Sequence, residues 1–361
     1  LGRKIRVVVI DDSAFMRKSL SLMLESDEEI EVIASARDGE EGYKLVKNLK
    51  PDLVTLDIEM PKMDGLTALQ LIMKDCPAPV IMVSSLTTEG AEATLKAFEY
   101  GAVDFIPKEL SYTNVNIIKI KEELIRKVKE IVRQSSLNDR IRRLIGGKIS
   151  QVEKSKPAGV KAIPASSHLP KIGYKAICLG ISTGGPMSLQ KVVPILDKKI
   201  NCPIFIVQHM PPKFTKSLAD RLNGMSGLEV REAENNERAK NGVIYIAPGG
   251  FHMTLKRNGL DTPNISITET PENTLHRPSV DVTMNSVVDL FGKYTLGIIM
   301  TGMGKDGLEG IRKLKDIGGY CLAQNEDSCI VYGMPRSVVE AGFADVVVPL
   351  EDIAETINKA F

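Results

Sequence analysis

Two sets of residues in this sequence have the types and spacing of reactive groups. The first is acidic: Asp11 and Asp12 end the apolar run "RVVVIDD", and Asp57 ends "LVTLD". Three carboxylates brought together repel one another unless a hard cation neutralises them, and Mg²⁺, with oxygen ligands and retained waters, suits such a site. Asp57 is then placed to attack a phosphoryl group as a carboxylate nucleophile. Ser84 ends a fourth apolar run and Lys108 a fifth, so a hydroxyl and an ammonium are available to hold phosphoryl oxygens. Taken singly, each of these residues reads better as a helix cap or a solvated charge. Five of them at successive run ends argue for a site.

The second set begins with "GISTG", residues 180–184, which fits the G-x-S-x-G nucleophile pattern around Ser182. Unpaired N–H groups in such a glycine turn hold an oxyanion or, equally, a phosphate, so an esterase and a nucleotide binder both stand at this point. His209 separates them. It ends the next apolar run, "PIFIVQHM", where a neutral imidazole could take the serine proton. A third group must orient that imidazole. Asp306 opens the helix after "IIMTGMGKDG" and is favoured over a plain N-cap role, with Asp281 in "HRPSVD" as the rival carboxylate. The order Ser, His, Asp departs from that of α/β-hydrolases, so the serine pattern does not import their fold.

Both sets need sheet edges to bring them together. Short β-branched runs near 5–11, 30–36, 53–56, 80–84 and 103–106, separated by amphipathic stretches, predict a five-stranded, flavodoxin-like parallel sheet, with a long helix over 114–134. Residues 135–171 are rich in Ser, Lys, Gly and Pro and read as a linker. From 172 to 361 the alternation resumes, predicting a doubly wound, Rossmann-like α/β domain with strands near 203–208, 228–233, 243–257, 265–270, 295–301, 320–324 and 345–349. "GVIYIAPGGFHMTLKRNG" reads as a hairpin turning at Gly249-Gly250, so this second sheet is expected to be mixed.

The totals narrow the function. A chain of 361 residues suggests two domains. Its 47 basic and 46 acidic residues nearly cancel, and with no Trp and 5% aromatics there is little to draw in or stack nucleic acid. No helix-turn-helix with a basic face is evident, so a DNA-binding output ranks behind a site-bearing domain. Five Cys without C-x-x-C spacing fit reduced core thiols in a cytoplasmic protein. The opening "LGRKIRVVVIDD" reads as a strand, not a leader, and no stretch is long enough to span a membrane. The four His lack metal-ligand spacing, so no cofactor is expected for the second site. His252, alternating with apolar residues, reads as structural, His168 lies in the linker, and His276 with Arg277, just before a helix, could line a substrate cleft.

Two resemblances sharpen this reading. "VIDDS", "LDIEMPKMDG", "VSS" and "DFIPK", over roughly residues 4–125, resemble a response-regulator receiver domain. The resemblance implies that Asp57 accepts phosphate from a histidine kinase, that Asp11 and Asp12 help bind Mg²⁺, that Lys108 contacts the phosphoryl group, and that Phe105 is the rotating aromatic, here without a hydroxyl. "GISTGGP", "VQHMPPKFTKSLADRLN", "IAPGGFHM", "HRPSVDV", "TGMGKDG" and "GMPRSVVEAG" resemble the catalytic domain of the CheB family of chemotaxis protein-glutamate methylesterases. That resemblance implies Ser182 as nucleophile, His209 as base and Asp306 as orienting acid, with Thr183 and Met303 beside the oxyanion, Met303 through its backbone N–H. It further implies methylated chemoreceptors as substrate, glutamine deamidation as a second activity, contact with membranes only through receptors, and an inhibitory unphosphorylated receiver. A monomer is expected. The competing function is a receiver-controlled nucleotide-binding or DNA-binding module without hydrolase activity.

Overall fold

Continuous apolar runs, not alternating ones, dominate the strands, and that is what a parallel sheet covered on both faces demands. The computed structural model describes residues 3–108, 114–133, 168–257 and 263–361. The chain forms two compact units, within residues 1–150 and 151–361. The expected linker, up to residue 167, lies outside the described residues.

In the first unit β1 (Ile5–Ile10), β2 (Ile30–Ala36), β3 (Leu53–Asp57), β4 (Val80–Ser84) and β5 (Asp104–Pro107) form a parallel sheet in the order β2-β1-β3-β4-β5. Helices α1 (Ala14–Glu25), α2 (Gly39–Leu49), α3 (Gly65–Asp75), α4 (Thr88–Glu99) and α5 (Asn114–Arg133) make the crossovers and close the unit. Ser13, Asp38, Asp64 and Thr87 each cap a helix by accepting a first-turn N–H, which fixes where each strand hands over to its helix. On α5 the buried Lys127 bonds Asp104 (2.9 Å) and the Phe105 carbonyl (2.8 Å). Removing one partner of so buried a pair costs about 3–5 kcal/mol, so α5 is tied firmly to the start of β5.

The second unit runs β6 (Ala176–Ile181), α6 (Gly185–Val192), β7 (Ile204–Gln208), α7 (Phe214–Met225), β8 (Glu229–Glu232), β9 (Val243–Ile246), β10 (His252–Lys256), β11 (Asn264–Thr268), α8 (Val280–Phe291), β12 (Thr295–Ile299), α9 (Leu308–Asp316), β13 (Tyr320–Gln324), α10 (Met334–Glu340), β14 (Val346–Val348) and α11 (Leu350–Ala360). Its seven-stranded sheet has the order β14-β13-β12-β6-β7-β9-β8. Every pairing in it is parallel, so the expected mixed sheet is not what forms. The predicted hairpin fails for a physical reason. Both edges of β9 are already bonded, to β7 and β8, leaving nothing for a returning strand. β10 therefore pairs antiparallel with β11 in a separate ribbon. Thr283 of α8 donates to the Met253 carbonyl at 2.7 Å and ties that ribbon to the helix.

Candidate active site

The carboxyl edge of the first sheet carries the acidic cluster. Asp57 is the last residue of β3 and Asp11 follows β1; both are buried, while Asp12 is exposed. One carboxylate oxygen from each of the three lies within 4.8 Å of the others. Lys108 Nζ, just past β5, stands 2.6 Å from Asp57 Oδ2 and 3.4 Å from Asp11 Oδ2. Burial outweighs the Lys108 hydrogen bond, and with the Asp11 charge added Asp57 is pushed up to about 6 from the usual 3.8. Burial raises Asp11 as well. One ammonium thus serves two buried carboxylates, and the pocket is short of positive charge. Oxygen-only donors, close spacing and that deficit fit a small hard dication, which Asp11, Asp12 and Asp57 would hold.

Two other predicted residues lie at this edge. The Ser84 hydroxyl donates to the Gly90 carbonyl in the first turn of α4 (3.1 Å), although Ser84 lines, with Asp57, Glu59 and Lys108, the cavity over the acidic cluster. Phe105 is buried, edge-on to Phe98 at 6.3 Å between centroids, with Lys127 Nζ 5.5 Å from its ring. It is held inward.

In the second unit the segments carrying the serine, histidine and aspartate converge where the strand order reverses, since β6 has β7 on one side and β12 on the other. Ser182 and His209 are the first residues past β6 and β7, whose last residues Ile181 and Gln208 are register partners. Ser182 N–H donates to Thr301 O beyond β12 at 3.0 Å. After the serine the chain turns sharply, Gly185 N–H bonding Ser182 O at 2.7 Å, with φ of 75° at Gly184. A Cβ at Gly184 would stand 2.6 Å from Ile330 Cγ1, so both conformation and space require glycine. The left-handed residue is thus Gly184 and not the serine, which separates this turn from the strained nucleophile elbow.

Asp306 was expected to open the following helix. That helix starts at Leu308, and the carboxylate serves another helix instead. Asp306 Oδ2 accepts Val280 N–H (2.7 Å), and Oδ1 accepts Asp281 N–H and the Ser279 hydroxyl (3.0 Å each), all at the start of α8. His209 Nε2 lies 2.8 Å from Asp306 Oδ2. Burial opposes the charge on Asp306, but the His209 hydrogen bond and charge, with the Asp281 and Val280 N–H groups, hold its carboxyl well below the usual range. Asp281, the rival, bonds Gly310 N–H at 2.8 Å, and burial, only partly offset by that bond and reinforced by the Asp306 charge, pushes it up to about 6. It supports Asp306 through its backbone and does not replace it.

The other His209 nitrogen, Nδ1, is buried with no hydrogen-bond partner among the described residues, so no bond joins it to the Ser182 hydroxyl. Thr183 and Met303 are both buried on the loops that flank Ser182. Among the described residues no carbonyl accepts the Met303 N–H. The Arg277 guanidinium donates to Glu272 O (3.2 Å) within its own loop. His276, read with it as a cleft residue, is stacked on His209 with centroids 4.1 Å apart and planes at 19°.

Two supporting residues escaped the sequence reading. The buried Gln208 donates through Nε2 to the carbonyls of both Ser182 (3.0 Å) and His209 (3.3 Å), tying the two strand ends together. Ser279 caps α8 and donates to Asp306. Only Ser279 had a readable signal, a serine before an amphipathic run. His252, read as structural, is fully buried and accepts Ser279 N–H at Nδ1 (3.2 Å), with burial lowering its basicity.

Comparison with known proteins places both units. Residues 7–118 match the family model "Response regulator receiver domain" and residues 177–357 match "CheB methylesterase". A protein-glutamate methylesterase/protein-glutamine glutaminase of Lawsonia intracellularis is 47% identical over 98% of this chain and 99% of its own length. One of Pyrococcus abyssi is 45% identical over 99% and 94%. The crystal structure of the Thermotoga maritima CheB methylesterase catalytic domain covers 53% of this chain and all of its own, at 43% identity and a TM-score of 0.51. Among the described residues no helix is long and apolar enough to cross a membrane.

Proposed function

This chain belongs to the CheB methylesterase family, and from that premise we propose how its residues carry out a phosphorylation-regulated hydrolysis of glutamate γ-methyl esters on chemoreceptors, with deamidation of specific glutamines by the same chemistry. Residues 172–361 are assigned to catalysis, 1–134 to the receiver and 135–171 to the linker, in a cytoplasmic monomer that meets membranes only through receptors.

The observation that carries the reading is the His209–Asp306 contact of 2.8 Å one strand away from Ser182. Because Nε2 faces the carboxylate, Nδ1 is left to serve the serine. Ser182 Oγ attacks the γ-carbonyl carbon while its proton passes to Nδ1, and Asp306 steadies the imidazolium at Nε2. Met303 N–H, with Thr183 alongside, donates to the oxyanion. Collapse breaks the C–O bond, and the methoxy oxygen takes the proton from Nδ1 and leaves as methanol. Water, deprotonated by Nδ1, then attacks the acyl-enzyme and frees the glutamate and Ser182. With a glutamine substrate the leaving group is ammonia. A short side-chain movement must first bring Ser182 Oγ within reach of Nδ1, as is usual for free enzymes.

In the receiver, Asp57 takes the phosphoryl group from a kinase or a small phosphodonor, and Lys108 binds the transferred oxygens. Mg²⁺, held by Asp11, Asp12 and Asp57, supplies neutralising charge there when bound. The test is methanol release from methylated receptor membranes. Ser182→Ala is expected to lose at least about 10⁴-fold, and Asp57→Ala to keep basal release but ignore a phosphodonor. Equal release by wild type and Ser182→Ala would overturn the nucleophile assignment.

A further inference from the structure

Asp306 holds the His209 ring at one point only, Nε2. The opposite nitrogen has no partner among the described residues, and a single edge bond leaves the ring able to rotate about Cβ–Cγ, swinging Nδ1 away from Ser182. What limits that rotation must press on a face of the ring. His276 does so, its imidazole lying over that of His209 with centroids 4.1 Å apart and planes at 19°. The chain just after His276 is itself pinned. Arg277 O accepts Gly250 N–H at 3.1 Å, and Ser279 N–H is held by the fully buried His252 at 3.2 Å.

We propose that His276 is a positioning residue for the hydrolysis: its ring fixes the plane of His209, so that Nδ1 is aimed at the serine, and gives the imidazolium formed during proton transfer an aromatic face to lie against. The role rests on the esterase reading above and extends it to a residue outside the triad. Offset-stacked rings attract through dispersion and their quadrupoles, and a ring that gains positive charge is held more strongly by a neutral aromatic neighbour. The second effect exists only once the proton has moved. Its loss therefore lowers kcat and leaves substrate binding alone.

The experiment uses the full chain and measures kcat and KM for methanol release from methylated receptor membranes, with wild type, His276→Ala, His276→Gln and His276→Phe. Ala and Gln are expected to lower kcat about tenfold with KM within about twofold, the scale of one stacking and cation–π contact. Phe, which keeps a flat ring, is expected to restore kcat to within about threefold of wild type and also shows that the loop folds. A Phe variant as slow as Ala, or a series that moves only KM, as a cleft-lining side chain would, overturns the proposal. An active wild type with a flat series defeats His276 alone, whereas a wild type that releases no methanol defeats the esterase reading and this role with it.

Discussion

Asp57 and Asp306 occupy comparable places at or beyond the carboxyl edge of a parallel sheet, Asp57 buried and Asp306 mostly so, yet their carboxyls are driven in opposite directions. The difference lies in how many donors reach them. Asp57 has Lys108, shared with Asp11, and a long bond from Glu59 N–H at 3.3 Å. Asp306 has four donors, three of them from the start of α8. A carboxylate that must attack phosphorus and share a cation has to keep its oxygens available, and burial without full pairing is the physical result. A carboxylate that only orients a base is better closed on every side. On the roles proposed for them, the pairing around an acid distinguishes a reacting group from an orienting one.

The sharpest way to break this comparison is to remove the charge from each acid while keeping its shape. Asp306→Asn is expected to cut methanol release by about 10⁴-fold, because the amide cannot stabilise the imidazolium and favours the wrong His209 tautomer. Asp57→Asn is expected to leave basal release unchanged. Comparable losses in the two variants would mean that Asp57 also takes part in ester hydrolysis.

A smaller effect separates the acids by pH. Asp57, raised from 3.8 to about 6 by burial against the weaker pull of Lys108, binds its proton more tightly in the folded chain than in the unfolded one. Its ionisation therefore costs the receiver at most about 3 kcal/mol above pH 6, a cost relieved as pH falls from 6 toward 3.8. In metal-free buffer the calorimetric transition of the receiver should rise from pH 7 to pH 5 relative to Asp57→Asn, with roughly half the effect present at pH 5. Asp306, being lowered, contributes stability above 3.8 that fades only below it. An Asp57→Asn receiver that tracks wild type at both pH values would show that the carboxylate is better paired than its neighbours indicate.

Much of this was legible in the sequence, and for identifiable reasons. The five receiver strands and the run ends bearing Asp11, Asp57, Ser84 and Lys108 follow from unbroken apolar runs, a local signal. Ser182 and His209 follow from the same rule. What failed depends on contacts between distant segments. The hairpin after Ile246 looked sound locally, but strand order had already occupied both edges of β9. Asp306 was placed at the opening of its own helix, whereas its carboxylate meets the N-terminus of α8, some 25 residues earlier in the chain. Gln208 and the stacking of His276 leave no periodicity to read.

The finest test of the comparison removes one of Asp306's four donors. Ser279→Ala deletes the hydroxyl that Asp306 Oδ1 accepts at 3.0 Å, while Val280 and Asp281 N–H, being backbone, remain. A hydrogen bond to a charged group is worth about 1.5–3 kcal/mol, but a carboxylate still held by three donors keeps its place and its charge. The expected loss in kcat is therefore only about tenfold, near the lower end of that range, with KM unchanged. Loss of the cap also lowers stability by about 1 kcal/mol, which Ser279→Thr should restore together with kcat. A thousandfold fall would mean that the four donors act as a single unit, and that Asp306, like Asp57, stands closer to under-pairing than its partners suggest.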